Sequence, residues 1–410
     1  MSDREPGTLG LRVLHCVDRL LPLTQGWLRT QVRQLEGRVA NIVVCRQTEN
    51  LDRFDVHPLW VESEARGLFG FTLKLHRRLG IPWLFTTRVA SRERVGIIHS
   101  HFGNVACENI WPARLVHARH AVTFYGYDVQ RLPAESPVWK GRYRQLFAGV
   151  DRVFCEGPHM RECLLKLDCP PEKAQIHHLG VELDRLPFKP RHWTPGQTLR
   201  VLLAGSFVEK KGFPYAIEAL AFLARKVDLQ VTLIGDARLD PDALAEKVRI
   251  LEAIQRNHLS ERTRLLGYQP YDTLLREAYR HHLFLAPSVT AQNGDTEGGA
   301  PVTIIEMAAT GMPVVSTRHC DIPHVIEDDV TGLLAPERDP QALAARLSQL
   351  LARAPAWGVM VEAARHRVEA EFNASIQAQR LGDVYARLAQ SLQKSTKESV
   401  ELRGAAWHGG

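Results

Sequence analysis

Short apolar runs alternate with amphipathic stretches along most of this chain of 410 residues. In the first half Leu11–Cys16, Asn41–Cys45 and Asp151–Cys155 read as strands, Gly96–Gly103 as a strand entering a loop and Ala121–Asp128 as the next such segment. Trp27–Leu35 reads as a helix between the first two, and the stretch before it, with Pro22 and Gly26, as a loop. In the second half the strands are Leu199–Ala204, Leu229–Gly235, Thr263–Gly267, His282–Ala286 and Met312–Ser316. Helical patterns fall between them at Phe213–Lys226, Pro241–Asn257, Pro270–Arg280 and Val302–Thr310. Strand–helix–strand order of this kind predicts parallel sheets wound by right-handed crossovers, with ligands bound beyond the carboxyl ends of the strands. Pro187–Gly196 holds three prolines around Lys189, Arg191 and His192 and reads as the connection between the two series.

Composition narrows the class. Apolar residues make up 45% and charged residues 24%, as in ordinary globular proteins, and the length favours two domains. No apolar run approaches the ~20 residues of a membrane span, and the opening residues lack the apolar core of a signal peptide. The seven cysteines are scattered without a paired spacing, so reduced thiols in a cytosol are expected, not a disulfide frame or zinc site. The net charge of +6 suits an anionic partner without choosing one. Arg66–Arg94 is the most basic segment, with seven Arg or Lys against Glu93 alone. Leu68, Phe71, Leu75 and Leu79 share a helical face flanked by Lys74, Arg77 and Arg78, and Trp83, Leu84 and Phe85 follow. Such a segment can lie in an anionic headgroup region; packing on the domain core is the alternative.

The chemistry concentrates between Pro287 and Pro323. A buried strand ends at Pro287, a glycine-rich loop carries Glu297, and a helix starting at Val302 carries Glu306 and stops at Gly311. The free N–H groups at Val302 and Thr303 suit a phosphate, and nearby carboxylates accept hydrogen bonds from sugar hydroxyls. This stretch resembles the signature of retaining nucleotide-sugar glycosyltransferases of family 4, which share the GT-B fold. It is similar to exopolysaccharide enzymes of the colanic acid and amylovoran type. Glu306 to Gly311 fits the family's second Glu; eight residues, instead of seven, separate it from Glu297, the extra one lying in Gly298–Ala300. Gly205–Gly212 resembles the family's donor-phosphate loop, with Lys211 and Gly212 matched and Ser206 where an Arg is usual. His99–Gly103 and Thr123–Asp128 resemble two further elements, with Tyr125 in place of a His.

The resemblance implies two Rossmann-like α/β domains facing across a cleft: an acceptor domain over 1–190, a nucleotide-sugar domain over 191–372, a helix over 373–393 crossing back to the first domain, and a flexible tail over 394–410. It implies a metal-independent hexosyltransferase of polysaccharide biosynthesis, cytoplasmic or at the inner face of the membrane. The donor would be a UDP- or GDP-linked sugar and the acceptor a glycan or a lipid-linked glycan, with no nucleic acid and no cofactor. Lys211, Glu297, His101 and Asp128 are then the catalytic candidates. Gly26, Gly205, Ser206, Tyr268, Gly299, Val302, Thr303 and Glu306 fall on the donor side, and Tyr125 on the acceptor side. His99 and His101 share a strand face, but no acidic partner or third spaced ligand accompanies them, so no metal site is expected. A glycoside hydrolase would leave the lysine–glycine loop unexplained. A nucleotide-sugar epimerase shares the two-domain fold, and a non-catalytic binding subunit is compatible with Ser206 and Tyr125.

Overall fold

Runs such as Leu199–Ala204, with one exposed residue among buried neighbours, need cover on both faces, and parallel sheets flanked by helices supply it. A computed structural model describes residues 10–20, 26–51, 58–66, 70–71, 78 and 84–407, with side chains to 391. The described residues form two all-parallel sheets. The first contains β1 (Arg12–Leu20), β2 (Ala40–Thr48), β3 (Leu59–Val61), β4 (Ile97–His101), β5 (Arg119–Thr123), β6 (Arg152–Cys155) and β7 (Ala174–Ile176), in the order β3-β2-β1-β4-β5-β6-β7. The second contains β8 (Leu199–Ala204), β9 (Leu229–Ile234), β10 (Thr263–Leu265), β11 (Leu283–Ala286), β12 (Val314–Thr317) and β13 (Leu333–Ala335), in the order β10-β9-β8-β11-β12-β13. In each sheet the order turns at the first strand of the series, where the loops after neighbouring strands diverge and leave a crevice.

Several expectations change. β1 continues past Cys16, because Val17 and Leu20 stay buried while Asp18 and Arg19 face outward. The 187–196 segment is tied down: the Lys189 and Arg191 N–H groups donate to Thr310 and Gly311 carbonyls. The buried Arg191 guanidinium also donates to the carbonyls of Thr310 and Ala278. The helix Ala374–Trp407 does cross back, burying Ala378, Leu381, Val384 and Tyr385 against Val13, Ile97 and Phe154 of the first sheet. It runs on where a flexible tail was expected from 394, since the chain offers no Gly or Pro between Asp383 and Arg403 to end it.

About half of the basic 66–94 segment, including Leu68, Lys74, Leu75, Arg77, Leu79 and Trp83, lies outside the described residues. Of its described parts, Phe71 is 68% exposed. Phe85 turns inward with Val89 and Ala90 on the helix Leu84–Arg92, so it belongs to the core and not to an outward aromatic group. Among the described residues no helix is long and apolar enough to cross a membrane.

Candidate active site

The cleft is built from loops at the carboxyl ends of both sheets. After β8 the chain passes Gly205 and Ser206, makes a short 3-10 turn at Glu209–Lys211 and enters the helix Phe213–Ala224 through Gly212. Gly212 is left-handed (φ 64°), and a Cβ there would lie 2.0 Å from the Pro287 carbonyl, so only glycine fits. That turn brings Lys211 to the loop after the neighbouring strand β11. Its ammonium donates to both oxygens of Glu297, each at 2.9 Å. Ser288 Oγ donates to the same carboxylate at 2.7 Å. Beside them Lys210 bonds Asp295 Oδ1 at 3.2 Å and the Thr296 carbonyl at 2.9 Å. Burial alone would push the Glu297 carboxyl up, but Lys211, Lys210 and the hydrogen bonds outweigh it and hold the group below the usual carboxylate range.

The glycines after Glu297 let the two domains touch. Gly298 is left-handed (φ 75°), and a Cβ on it would lie 2.2 Å from Gly126 Cα in the first domain. Gly299 lies against the Glu156 carboxyl at the end of β6, and Thr296 bonds Gln130. The chain then enters the helix Val302–Ala309, whose first residues Val302 and Thr303 remain partly exposed. Glu306 accepts from the Tyr271 hydroxyl at 2.7 Å. Its carboxyl is pushed up to about 7, mainly by burial, with Tyr271 and Arg185 opposing. The Tyr268 hydroxyl donates to Ser206 Oγ at 3.3 Å across the Gly205–Gly212 loop.

The first domain departs further from expectation. His101 is fully buried, and both ring nitrogens are engaged: Nδ1 with the Tyr125 hydroxyl at 2.6 Å, Nε2 with His15 Nδ1 at 3.1 Å. Asp128 is also fully buried and accepts from the Gly103 and Tyr125 backbone N–H groups at 2.6 and 2.9 Å. Here it fastens the two strand-end loops and offers no oxygen to the cleft. Burial pushes its carboxyl up to about 6 against those hydrogen bonds. Tyr125 is half-buried under the Trp27 ring, 4.2 Å between centroids. Gly26 is exposed at the start of the helix Gly26–Gln34, and a Cβ there would meet no described residue within 4 Å.

A third histidine does join His99 and His101, which corrects the expectation of an isolated pair. His15, from β1, completes a buried trio that could hold a metal ion. The three rings lean towards stacking, with the His99 and His101 centroids 4.5 Å apart. Their nitrogens bond protein partners: Asn41 for His15, Thr123 and Tyr385 for His99. The arrangement suits a hydrogen-bonded core network better than converging ligands.

Sequence patterns gave no signal for Tyr271, Arg185, Glu156, Trp27 or His319. Tyr271 opens a helix next to Pro270, Arg185 stacks on its ring at 4.9 Å, and His319 accepts from the Glu297 N–H at 3.1 Å. Each is recruited by tertiary contact, and only a position after a strand could have hinted at them. A groove of about 380 Å³ near the amino ends of the second sheet's strands, lined by Arg200, Arg264, Glu277 and Arg280, contains none of the motif residues.

Known proteins match this arrangement. A model for Glycosyltransferase Family 4 matches residues 27–185, and one for Glycosyl transferases group 1 matches 198–353. The chain is 32% identical to the amylovoran biosynthesis glycosyltransferase AmsK of Erwinia amylovora, over 72% of this chain and 70% of that one. It is 30% identical to the putative colanic acid biosynthesis glycosyltransferase WcaL of Escherichia coli strain K12, over 70% of each. Among solved structures, Anabaena Alr3699/HepE in complex with UDP and glucose superposes with a TM-score of 0.75 at 14% identity, covering 92% of this chain and all of that one (100%). A glycosyltransferase from Rickettsia africae superposes at 0.73 with 18% identity, covering 92% and 98%. With its two parallel-sheet domains, its lysine–glycine loop and these relatives, the chain belongs to the GT-B glycosyltransferases of family 4.

Proposed function

We propose that the protein moves a sugar from a nucleoside-diphosphate sugar, UDP- or GDP-linked, onto a glycan or lipid-linked acceptor during polysaccharide assembly, with retention at the anomeric carbon and without a metal ion. The observation that carries this reading is the Lys211–Glu297 ion pair beside the Gly126–Gly298 contact, where charge from the second domain meets the first. An ammonium has three N–H groups. Two reach Glu297, and the third is available to a departing diphosphate. The helix start at Val302–Thr303 and the Ser206 hydroxyl add donors in place of the usual Arg. This preorganised positive charge is the largest contribution the protein makes to the transition state. Glu306 takes the ribose hydroxyls, and Glu297, fixed by Lys211 and Ser288, takes a hydroxyl of the transferred sugar. The leaving phosphate oxygen accepts the acceptor's proton on the face it vacates. The names of the amylovoran and colanic acid relatives support a polysaccharide product, and the UDP held by the Anabaena structure supports a uridine donor. We place the enzyme at the inner membrane face, with residues 66–94 meeting anionic lipid. Glu at Lys74, Arg77 and Arg78 should then abolish co-sedimentation with anionic vesicles.

The test is a panel of UDP- and GDP-sugars, scored for binding and for slow release of nucleoside diphosphate. One donor class should bind and release nucleotide. Lys211→Ala should retain binding while release falls about 10²–10³-fold, and Glu306→Ala should weaken binding. Equal turnover in wild type and Lys211→Ala overturns the assignment. Conversion of the donor into another nucleotide sugar favours an epimerase, and binding without nucleotide release favours a non-catalytic subunit.

A further inference from the structure

A second cluster spans the two domains beside the donor site, and the transfer chemistry does not use it. Asp321, just after β12, places its carboxylate on the start of the helix Pro158–Lys166 in the first domain. Oδ1 accepts from the His159 N–H at 2.7 Å and Oδ2 from the Met160 N–H at 3.3 Å. A cysteine flanks this cap from each side. Cys163 lies one turn along the capped helix, its sulfur 3.5 Å from His159 Nε2 and 3.5 Å from Gln130 Nε2. Cys320 precedes Asp321, its sulfur 3.2 Å from His319 Nε2, and His319 Nδ1 bonds Glu337 at 2.7 Å. The His159 imidazole meets the Cys163 sulfur, and Cys163 and Cys320 together hold it above its usual range, so it neighbours a thiol of each domain. Both cysteines are free and partly accessible, unlike the buried Cys16, Cys45, Cys155 and Cys169.

We propose that Cys163 and Cys320 are a dithiol pair that a small-molecule disulfide oxidises to a bond between the two domains, holding the cleft closed. In the first step the Cys320 thiolate attacks one sulfur of the small disulfide, forming a mixed disulfide and releasing one small thiolate. In the second, the Cys163 thiol gives its proton to solvent and attacks the Cys320 sulfur, releasing the other small thiolate. The two protein sulfurs lose two electrons and the small disulfide gains them, leaving two small thiols.

The surroundings favour the first step. Burial opposes ionisation of Cys320, but His159 and His319 outweigh it and bring the thiol down to about 7. Cys163 is also lowered, burial being outweighed by His159 and Gln130. Burial pushes Cys45, Cys107 and Cys169 up to about 12 and Cys16 and Cys155 higher still, so these five are poor nucleophiles. The product would staple the Asp321 cap, and a GT-B cleft that cannot open cannot exchange its substrates. That consequence rests on the transferase reading; the thiol chemistry does not.

The experiment treats the full chain with oxidised glutathione, blocks remaining thiols by alkylation and maps the peptides by mass spectrometry. Two of the seven cysteines should escape alkylation and appear as a Cys163–Cys320 cross-linked peptide, reversed by dithiothreitol. Cys163→Ser should stop at a glutathione adduct on Cys320. Turnover of the oxidised wild type should fall about tenfold or more and recover on reduction, while the Cys163→Ser/Cys320→Ser double variant keeps its rate in both buffers. A stable glutathione adduct without the cross-link, a cross-link to another cysteine, or slow and equal modification of all thiols overturns the pair. A cross-link with unchanged turnover overturns the clamp. Failure of the reduced protein to turn over any donor counts against the transferase reading alone, since the peptide map is read independently.

Discussion

Lys211 and Glu297, 86 residues apart, meet through both carboxylate oxygens at 2.9 Å across the loops of two adjacent strands. The pair is partly shielded, with 21% of the lysine side chain and 6% of the glutamate side chain exposed. Two groups that act as one unit give non-additive losses when removed. Lys211→Met and Glu297→Gln should each cut kcat about 100-fold, and the double variant should be little worse than the poorer single one. Initial rates with a saturating donor check this, and full additivity would show that the residues act separately. The acid side has a definite sign. Glu297 sits below its ordinary 4.5 in the folded protein, so its stabilising share is complete above 4.5 and is lost as pH falls through the lower folded value. Denaturant unfolding between about pH 5 and about pH 3 should show wild type losing more stability than Glu297→Gln.

Glu306 behaves oppositely. Its carboxyl is raised from 4.5 to about 7, with burial the main cause, so the folded protein holds this proton more tightly than the unfolded chain. In the free protein the contribution of Glu306 to stability falls as pH rises from 4.5 to about 7. Only the ionised carboxylate accepts from both ribose hydroxyls. Nucleotide affinity should therefore rise with a midpoint near pH 7, and Glu306→Gln should flatten the profile. Tyr271→Phe removes a hydrogen bond that favours ionisation and should move the midpoint upward. Calorimetric titration of the nucleotide across the pH series reads all three.

Domain contact depends on bare backbone at Gly126 and Gly298. A methyl group on Gly298 would overlap Gly126 Cα, and its left-handed φ adds strain. Gly298→Ala should keep the domains from closing fully, cutting kcat/KM about 10–100-fold. Both sheets keep their cores, so far-ultraviolet circular dichroism should match wild type. Small-angle scattering in the presence of donor should show the variant remaining more open.

The His15, His99 and His101 trio makes the first domain sensitive to acid. Burial pushes His15 down to about 4, against a hydrogen bond that its Nε2 donates to Asn41 Oδ1. His99 and His101 are also held well below 6.5, first by burial, then His99 by His101, His15 and further histidines and His101 by His15. A histidine depressed in the folded state contributes stability above its unfolded value, and that stability is lost as pH falls towards the folded value. Unfolding free energy should therefore drop between pH 6.5 and about 4. His15→Leu should make that slope shallower even if the variant is less stable at neutral pH.

Much of this molecule was legible locally. Apolar runs such as Leu199–Ala204 and Leu283–Ala286 became neighbouring parallel strands, since a strand buried on both faces leaves that composition in the chain. Lys211, Gly212 and Glu306 fell where a strand end and a helix start put them. His101 and Asp128 carried the right motif letters, but a strand end does not reveal whether a side chain turns into the cleft or into the core. The chain order alone determined two wound sheets and the position of the lysine–glycine loop, because hydrophobic period and turn chemistry act over a few residues. Only the folded chain decided that Lys211 pairs with Glu297, that His15 completes the imidazole trio and that Asp321 caps a helix of the other domain. Those contacts join residues far apart in sequence, and packing and electrostatics select them only once the two sheets have formed.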